Sequence, residues 1–177
     1  MKIRVLFFLS IFCFSCSKVT PRRPIQPKPS TTILKETIKE SKRLNALENQ
    51  KIIDVIRRDS TTNYLVSPNG FWYTYVNKIT KDSPIPQPGD VVTLAYNIQD
   101  LEGNIIYSKE ELKTKTYTVD KEDFIAALQY GIKLMKIGET ITFVIPSYNA
   151  YGVVGDGKKI GINKSIKSTV TLINIKQ

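Results

Sequence analysis

Short runs of alternating hydrophobic and polar residues fill the chain from about residue 60 to its end. These runs are rich in β-branched and aromatic residues and are separated by Gly, Pro, Asn and Asp, which is typical of strands joined by turns. Strands are therefore predicted at 65–66, 71–76, 91–98, 105–107, 114–119, 140–145 and 166–175. The pair Asn69-Gly70 separates the first two strands and favours a tight hairpin.

Apolar residues three and four positions apart replace this alternation at residues 121–135, which predicts the only helix of the domain. The residues that would share one side of that helix are Phe124, Ile125, Leu128, Ile132 and Met135. Gly138 would mark its end. One short helix against an antiparallel sheet predicts an α+β domain with a single core, spanning residues 60–177.

A second helix is predicted ahead of the domain at residues 33–59, which contain no Pro or Gly and are rich in Lys, Glu, Leu and Ile. The members of its apolar stripe are Leu34, Ile38, Ile52, Val55 and Ile56. The polar residues Ser41 and Asn45 interrupt that stripe. Such a helix docks on the domain, pairs with a second copy of the chain or stays partly frayed. The sequence leaves these three alternatives open.

Residues 1–32 predict a leader and a linker rather than a folded element. Lys2 and Arg4 precede about ten mostly apolar residues, which is the layout of a secretory signal and is too short to span a bilayer. The apolar run ends at Ser15-Cys16-Ser17, which resembles the processing site of a bacterial lipoprotein. That resemblance implies removal of residues 1–15 and acylation of Cys16 with fatty-acid chains such as palmitate. An ordinary cleaved signal and an uncleaved anchor are the alternatives.

Residues 16–32 hold four prolines, which favour an extended linker. The net charge of +10 is unevenly distributed, because residues 17–59 carry +6 and residues 60–177 carry only +2. The basic arm is either simply solvated or attracted to anionic lipid or cell-wall polymers. Nucleic acid is not an expected partner of a chain with an export signal.

The chain contains no histidine, and its two cysteines, Cys13 and Cys16, both lie near the N-terminus. The domain therefore lacks the imidazole of the usual catalytic triads and of His-containing zinc sites. It also has no thiol for a disulfide or for nucleophilic catalysis. No metal and no cofactor are expected. Whatever the domain does, it does so without imidazole, thiolate or a soft-metal site.

Several motifs follow one another along the domain in a fixed order. They are Pro88-Gly89-Asp90-Val91, Leu101-Glu102-Gly103-Asn104, Phe124-Ile125, Ala150-Tyr151-Gly152 and the closing Val170-Thr171-Leu172-Ile173. This order resembles that of the FK506-binding (FKBP) family of peptidyl-prolyl cis-trans isomerases over about residues 64–177. The resemblance implies an antiparallel sheet wrapped on one short helix, so we expect helix 33–59 to be dispensable for folding of the domain. It also implies rotation about X-Pro peptide bonds, which breaks no bond and needs no acid, base or nucleophile.

The resemblance further implies a role for each candidate site residue. Tyr96 would form an aromatic wall, the N–H of Ile125 would donate to the substrate, and the hydroxyl of Tyr151 would donate to the substrate carbonyl. The remaining candidates would contact the substrate: Phe124 at the start of the helix, Leu128 at the pocket floor, and Ile106, Tyr107 and Ile160 at the sides.

The chain departs from the family pattern at several pocket positions. Ile106 stands where the family often has Phe, Tyr107 where it has Asp, Lys115 and Ser168 at two further aromatic positions, and Ile160-Gly161-Ile162 in place of Ile-Pro-Pro. A less aromatic pocket predicts weaker catalysis. It favours, as the alternative, a periplasmic chaperone or a scaffold subunit of an envelope machine.

Together with the lipoprotein signal and the Pro-rich linker, the domain resembles most the gliding-motility-associated isomerase lipoproteins of Bacteroidetes. That resemblance implies a lipid-anchored location in the bacterial cell envelope, on the periplasmic side of the outer membrane. It implies exported proteins with X-Pro bonds as substrates and subunits of an envelope complex as further partners.

Overall fold

The computed structural model describes residues 31–177, with side chains from residue 33 onward. The predicted signal peptide 1–15, the predicted acylation site Cys16 and nearly all of the predicted linker 16–32 lie outside the described residues. The described residues divide at Thr37 and Ile38 into a short first unit and a compact second unit, residues 38–177. The second unit contains every strand of the described chain.

Within the described range, most helices and strands follow one another in the order that the sequence pattern predicts. The helices are α1 (Thr31–Arg58), α2 (Lys109–Leu112) and α3 (Ala126–Ile132), and a 3-10 turn occupies Ser147–Asn149. The strands are β1 (Leu65–Val66), β2 (Trp72–Asn77), β3 (Val91–Tyr96), β4 (Ile98–Gln99), β5 (Ile105–Tyr107), β6 (Thr114–Thr118), β7 (Thr140–Ile145) and β8 (Ile166–Lys176).

These strands form one antiparallel sheet. Its main order is β1-β2-β7-β8-β3-β6, and the short β4 pairs with both β8 and β5. The long β8 holds the sheet together, since Val170 lies opposite Ile141 of β7 on one side and opposite Tyr96 of β3 on the other. The predicted α+β class, with an antiparallel sheet on a short helix and a helix ahead of the domain, is confirmed.

The strand predicted at 91–98 is divided in two, because the chain leaves the β3 ladder at Asn97. The side-chain oxygen of Asn97 accepts a hydrogen bond from the Thr169 N–H at 2.9 Å, and its carbonyl accepts one from the Ser168 hydroxyl at 2.7 Å. Both donors lie on β8, so the chain stays attached to the sheet across the break. Ser168 is fully buried, and its hydroxyl makes this contact at a position where the family pattern has an aromatic ring.

The core lies between α3 and one face of the sheet. Alternate residues of β3 and β8 are buried, as the period of two predicts. Leu128 and Ile132 of α3 are completely buried in the same cluster. At Gly131, a Cβ would overlap the ring of Phe143 on β7. Glycine at this position therefore allows α3 to approach the sheet closely.

The prediction that the helix spans 121–135 is wrong in its bounds, since α3 covers only Ala126–Ile132. Asp120, two residues beyond the end of β6, has a positive φ of 57°, and Ile125 has a ψ of 120°, outside the helical range. After α3, Leu134 and Met135 donate to carbonyls three residues back, which closes the helix with a tighter turn. The apolar period at 121–135 reflects which residues are covered, not how far the helix extends.

The prediction of a single helix within the domain is also wrong, because α2 forms one turn between β5 and β6. Ser108 caps this turn, and its hydroxyl accepts a hydrogen bond from the Glu111 N–H at 3.2 Å. A helix of four residues is too short to show an apolar period in the sequence.

The C-terminal half of α1 docks on the domain, which decides among the three alternatives for this part of the helix. Ile52 is completely buried, and Glu48 hydrogen-bonds to Ser147 and Ser165. Ile38 and Leu44, nearer the N-terminus, are about half exposed. That helix 33–59 is dispensable for folding of the domain stays a prediction. Within residues 31–177, no helix combines the length and the apolar character needed to cross a membrane.

We predict that Gly131→Ala destabilises the protein by about 1–3 kcal/mol through overlap with Phe143. Helix propensity alone would act in the opposite direction by about 1 kcal/mol, so a loss of stability isolates the steric effect. Urea unfolding measures the difference. The matched control is Gly161→Ala, where an added Cβ meets nothing closer than 3.9 Å, and its change should stay within about 0.5 kcal/mol. A Gly131→Ala variant as stable as the control would show that α3 does not depend on this approach.

Candidate functional site

A pocket of about 310 Å³ opens at the N-terminus of α3. Residues from four parts of the chain line it: Tyr96 at the end of β3, Lys115 of β6, Asp123, Phe124 and Ile125 ahead of α3, and Ala150 and Tyr151 after β7. A larger depression of about 500 Å³ has mostly threonine and aliphatic walls and one ring, formed by Thr61, Thr62, Asn63, Leu65, Thr74, Tyr75 and Val76. The smaller pocket is the better candidate site because aromatic rings and hydrogen-bond donors meet there.

Three aromatic rings form one wall of this pocket and the layer behind it. The ring of Phe124 meets that of Tyr96 edge-on, with centroids 5.5 Å apart and planes at 85°, and lies 5.5 Å from that of Tyr117. Tyr117 is completely buried and Tyr96 is only 8% exposed. Phe124 is therefore held in place by two rings that belong to the sheet. The ammonium of Lys115 lies 5.1 Å from the Phe124 centroid and adds a cation to the pocket lining.

The backbone just before α3, at the edge of the pocket, carries a free donor. The Ile125 carbonyl accepts hydrogen bonds from the N–H groups of Leu128 and Gln129 at 2.8 and 3.0 Å, and the Gln129 side chain donates to the Phe124 carbonyl at 2.9 Å. These bonds fix the peptide planes around Ile125. The Ile125 N–H itself makes no hydrogen bond to any residue between 31 and 177, as expected at a helix start.

Tyr151 follows the 3-10 turn and supplies a second free donor. Its half-buried ring lies beside the pocket, and its hydroxyl has no hydrogen-bond partner within the described part of the chain. Burial raises the pKa of Tyr151 to about 12, and the nearby Tyr96, Asp156 and Tyr107 contribute to the same shift. The hydroxyl therefore stays protonated at neutral pH and can donate to an acceptor in the pocket.

Tyr107 and Asp156 join β5 to the loop between β7 and β8. The Tyr107 hydroxyl donates a short hydrogen bond to the Asp156 carboxylate, and this bond is the main cause that raises the pKa of Tyr107. Burial alone would raise the pKa of Asp156, but this hydrogen bond and those from the Ile160 and Lys158 N–H groups lower it. The loop is thus fixed beside the pocket by a carboxylate that stays ionised.

Lys159 extends this contact. Its ammonium lies 4.7 Å from the Tyr107 ring centroid and forms an ion pair with Glu111 of α2 at 2.6 Å. Both side chains of the pair are about half exposed. The ion pair therefore contributes little to stability and mainly orients Lys159 toward α2.

The structure brings four of the eight predicted site residues into the pocket lining: Tyr96, Phe124, Ile125 and Tyr151. Leu128 and Ile160 lie in the core, at 0% and 3% exposure, while Ile106 and Tyr107 pack against the core without lining the pocket. What each of the eight does toward a substrate stays a prediction. Within the described residues, no cluster of acidic side chains is arranged to hold a metal ion.

Sequence reasoning missed Asp123 as a lining residue and Asp156 as the partner of Tyr107. Asp123 directly precedes the predicted site residue Phe124, and this adjacency was the only signal for its place in the lining. Asp156 stands between Gly155 and Gly157, a spacing that indicates a tight turn but not its distant contact.

The raised pKa of Tyr151 predicts a specific loss of stability in alkali. Between pH 10 and pH 12 the unfolded chain releases the Tyr151 proton while the folded protein retains it. The free energy of unfolding is therefore unaffected by this group below pH 10 and falls as the pH rises toward 12. Urea unfolding of the protein and of Tyr151→Phe across this range measures the difference, and ultraviolet titration of the two identifies the tyrosine. Ionisation of Tyr151 near pH 10 would contradict the burial argument.

The family model described as "FKBP-type peptidyl-prolyl cis-trans isomerase" matches residues 83–173, more than half of the chain. A curated relative is the probable FKBP-type peptidyl-prolyl cis-trans isomerase FkpA of Neisseria meningitidis serogroup B, 33% identical over 100 residues. That match covers 55% of this chain and 36% of the relative, so the chain spans about a third of the relative's length.

Two solved structures share the fold. A peptidyl-prolyl cis-trans isomerase from Pseudomonas syringae pv. tomato has a TM-score of 0.62 at 19% identity, covering 77% of this chain and 96% of that one. FkpA from Escherichia coli has a TM-score of 0.61 at 20% identity, covering 99% of this chain and 82% of that one. At these identities the two structures show the fold alone. The assignment to a family is supported by the family model. The chain belongs to the FKBP-type peptidyl-prolyl cis-trans isomerase family.

Proposed function

We propose that this protein catalyses cis–trans isomerisation of X-Pro peptide bonds in exported proteins. The observation that carries the proposal is the pairing of two free donors, the Ile125 N–H and the Tyr151 hydroxyl, with a pocket walled by Tyr96 and Phe124. A half-buried donor without a partner costs free energy. A bound ligand that offers carbonyl oxygens to both donors would recover that cost.

The chemistry of X-Pro rotation suits this arrangement. The barrier of about 18–20 kcal/mol comes from amide resonance, which places partial charge on the nitrogen and the oxygen. An aromatic wall disfavours that charge separation, and fixed donors hold a carbonyl in the twisted orientation of the transition state. Neither effect requires a histidine, a thiol or a metal.

A second candidate function is binding without useful turnover, as a chaperone or scaffold subunit. The observation that favours it is that Lys115, rather than an aromatic residue, lines the pocket. Such a protein would bind X-Pro peptides through the same donors but accelerate their isomerisation little.

We expect the purified protein to accelerate isomerisation of X-Pro peptides and Tyr151→Phe to reduce kcat/KM by about three- to tenfold. That factor corresponds to one neutral hydrogen bond of about 0.5–1.5 kcal/mol. Isomer-specific proteolysis or exchange NMR measures the rate. Tyr130→Phe is the control, because it removes a hydroxyl from an exposed ring on α3 that does not line the pocket. Peptide binding without acceleration by the wild-type protein would favour the second candidate, and activity unchanged in Tyr151→Phe would remove Tyr151 from the site.

The location of this activity is the second part of the proposal. Acylation at Cys16 would anchor the protein in the bacterial cell envelope, facing the periplasm from the outer membrane. The support comes from the sequence: two basic residues, a short apolar run and the segment Ser15-Cys16-Ser17. The resemblance to gliding-motility-associated lipoproteins supports a place in an envelope complex of that kind.

We predict that Cys16→Ala abolishes acylation and leaves an unprocessed or soluble protein. Metabolic labelling with a palmitate analogue and membrane fractionation measure the two effects. Cys13→Ala is the matched control, since it removes a thiol three residues away and should leave the label in place. Membrane association and lipid labelling that persist in Cys16→Ala would contradict the anchor.

A further inference from the structure

The carboxylate of Glu48, on the docked half of α1, collects three hydrogen bonds from two distant segments. It accepts from the Ser147 N–H at 2.6 Å, from the Ser147 hydroxyl at 2.8 Å, and through a short bond from the Ser165 hydroxyl. The donors lie 99 and 117 residues along the chain. Ser147 is only 4% exposed. Charge-assisted bonds of this kind are stronger than neutral ones.

Ser147 and Ser165 are the two ends of the loop that carries Tyr151. Ser147 follows β7 by two residues, and Ser165 immediately precedes β8. The last rungs of the β7–β8 ladder pair Ile145 with Ile166. Glu48 therefore joins the two sides of the loop just beyond the point where strand pairing stops, and its bonds act on the loop rather than on the sheet.

Ser147 connects directly to the backbone on either side of Tyr151. Its carbonyl accepts hydrogen bonds from the N–H groups of Ala150 and Gly152, at 2.9 and 2.8 Å. Glu48 thus fixes Ser147, and Ser147 fixes both neighbours of Tyr151. The next residue of α1 adds a second tie, because Asn49 accepts a hydrogen bond from the Tyr148 hydroxyl at 2.9 Å.

We propose that Glu48 is a positioning residue that holds the Tyr151 hydroxyl at the pocket, so that α1 takes part in forming the site. The inference rests on the proposed isomerase function. Glu48 does not line the pocket, and it acts through Ser147 and the loop backbone. Removal of its carboxylate releases the loop at both ends, and the Tyr151 donor is then less well placed for the transition state.

Steady-state kinetics on an X-Pro peptide test this with the full chain and the variants Glu48→Ala and Glu48→Gln. We expect Glu48→Ala to reduce kcat and kcat/KM by the same factor, about three- to tenfold, since a transition-state contact is weakened. Glu48→Gln should recover part of the loss, because the amide oxygen still accepts and the amide nitrogen can donate to the Ser147 hydroxyl. Glu36→Gln, on the exposed start of α1, is the matched control and should match the wild type.

A double variant separates positioning from simple docking of the helix. If Glu48 acts through Tyr151, Glu48→Ala costs much less activity in a Tyr151→Phe background than in the wild type. An equal cost in both backgrounds would overturn the proposal. Should Glu48→Ala fail to fold, Ser165→Ala removes only one of the three bonds and takes its place in the same cycle.

Amide hydrogen exchange gives a readout that does not depend on activity. The N–H groups of Ala150 and Gly152 should exchange faster in Glu48→Ala, while those in the β7–β8 ladder keep their protection. Unchanged exchange at both residues would overturn the proposal. A wild-type protein without isomerase activity would refute the proposed function instead. The exchange result alone would then decide whether Glu48 fixes the loop that carries Tyr151.

Discussion

The close approach of α3 to the sheet is the constraint on which the rest of the domain depends. Gly131 lets the ring of Phe143 lie against the helix backbone, which sets the distance between helix and sheet. Ile125 directly precedes this helix, so the position of the helix also sets where the Ile125 N–H lies and where the Phe124 ring meets Tyr96. Core packing and pocket geometry are thus fixed by one contact.

The two free donors of the pocket are held in different ways. The Ile125 N–H belongs to the start of a helix that the core immobilises, whereas Tyr151 lies in a loop outside the strand ladder. A loop needs ties of its own to hold a side chain precisely. Glu48, Asn149 and Asp156 supply them, since each hydrogen-bonds across the loop or from it to a distant segment.

The sequence predicted most of the strands because alternation is a local property, and in β3 and β8 every second residue is buried. It predicted the extent of α3 poorly. Phe124 and Ile125 fit the apolar period because they pack at the pocket, but both residues precede the helix. The family resemblance predicted four of the seven residues that line the pocket. The contacts of Glu48 with Ser147 and of Tyr107 with Asp156 join residues far apart in the chain, and no local pattern encodes such pairs.

The absence of histidine has a consequence for how the pocket responds to its surroundings. The pKa of Tyr151 is raised and that of Asp156 is lowered, so both pKa values move away from neutrality. The chain has no histidine whose imidazole could change charge in the pH range between these two pKa values. The proton donor beside the rings and the carboxylate that fixes its loop therefore keep one charge state across mild acid and mild alkali. A change of ambient acidity over this range therefore leaves the Tyr151 donor and the tie that holds its loop unaltered.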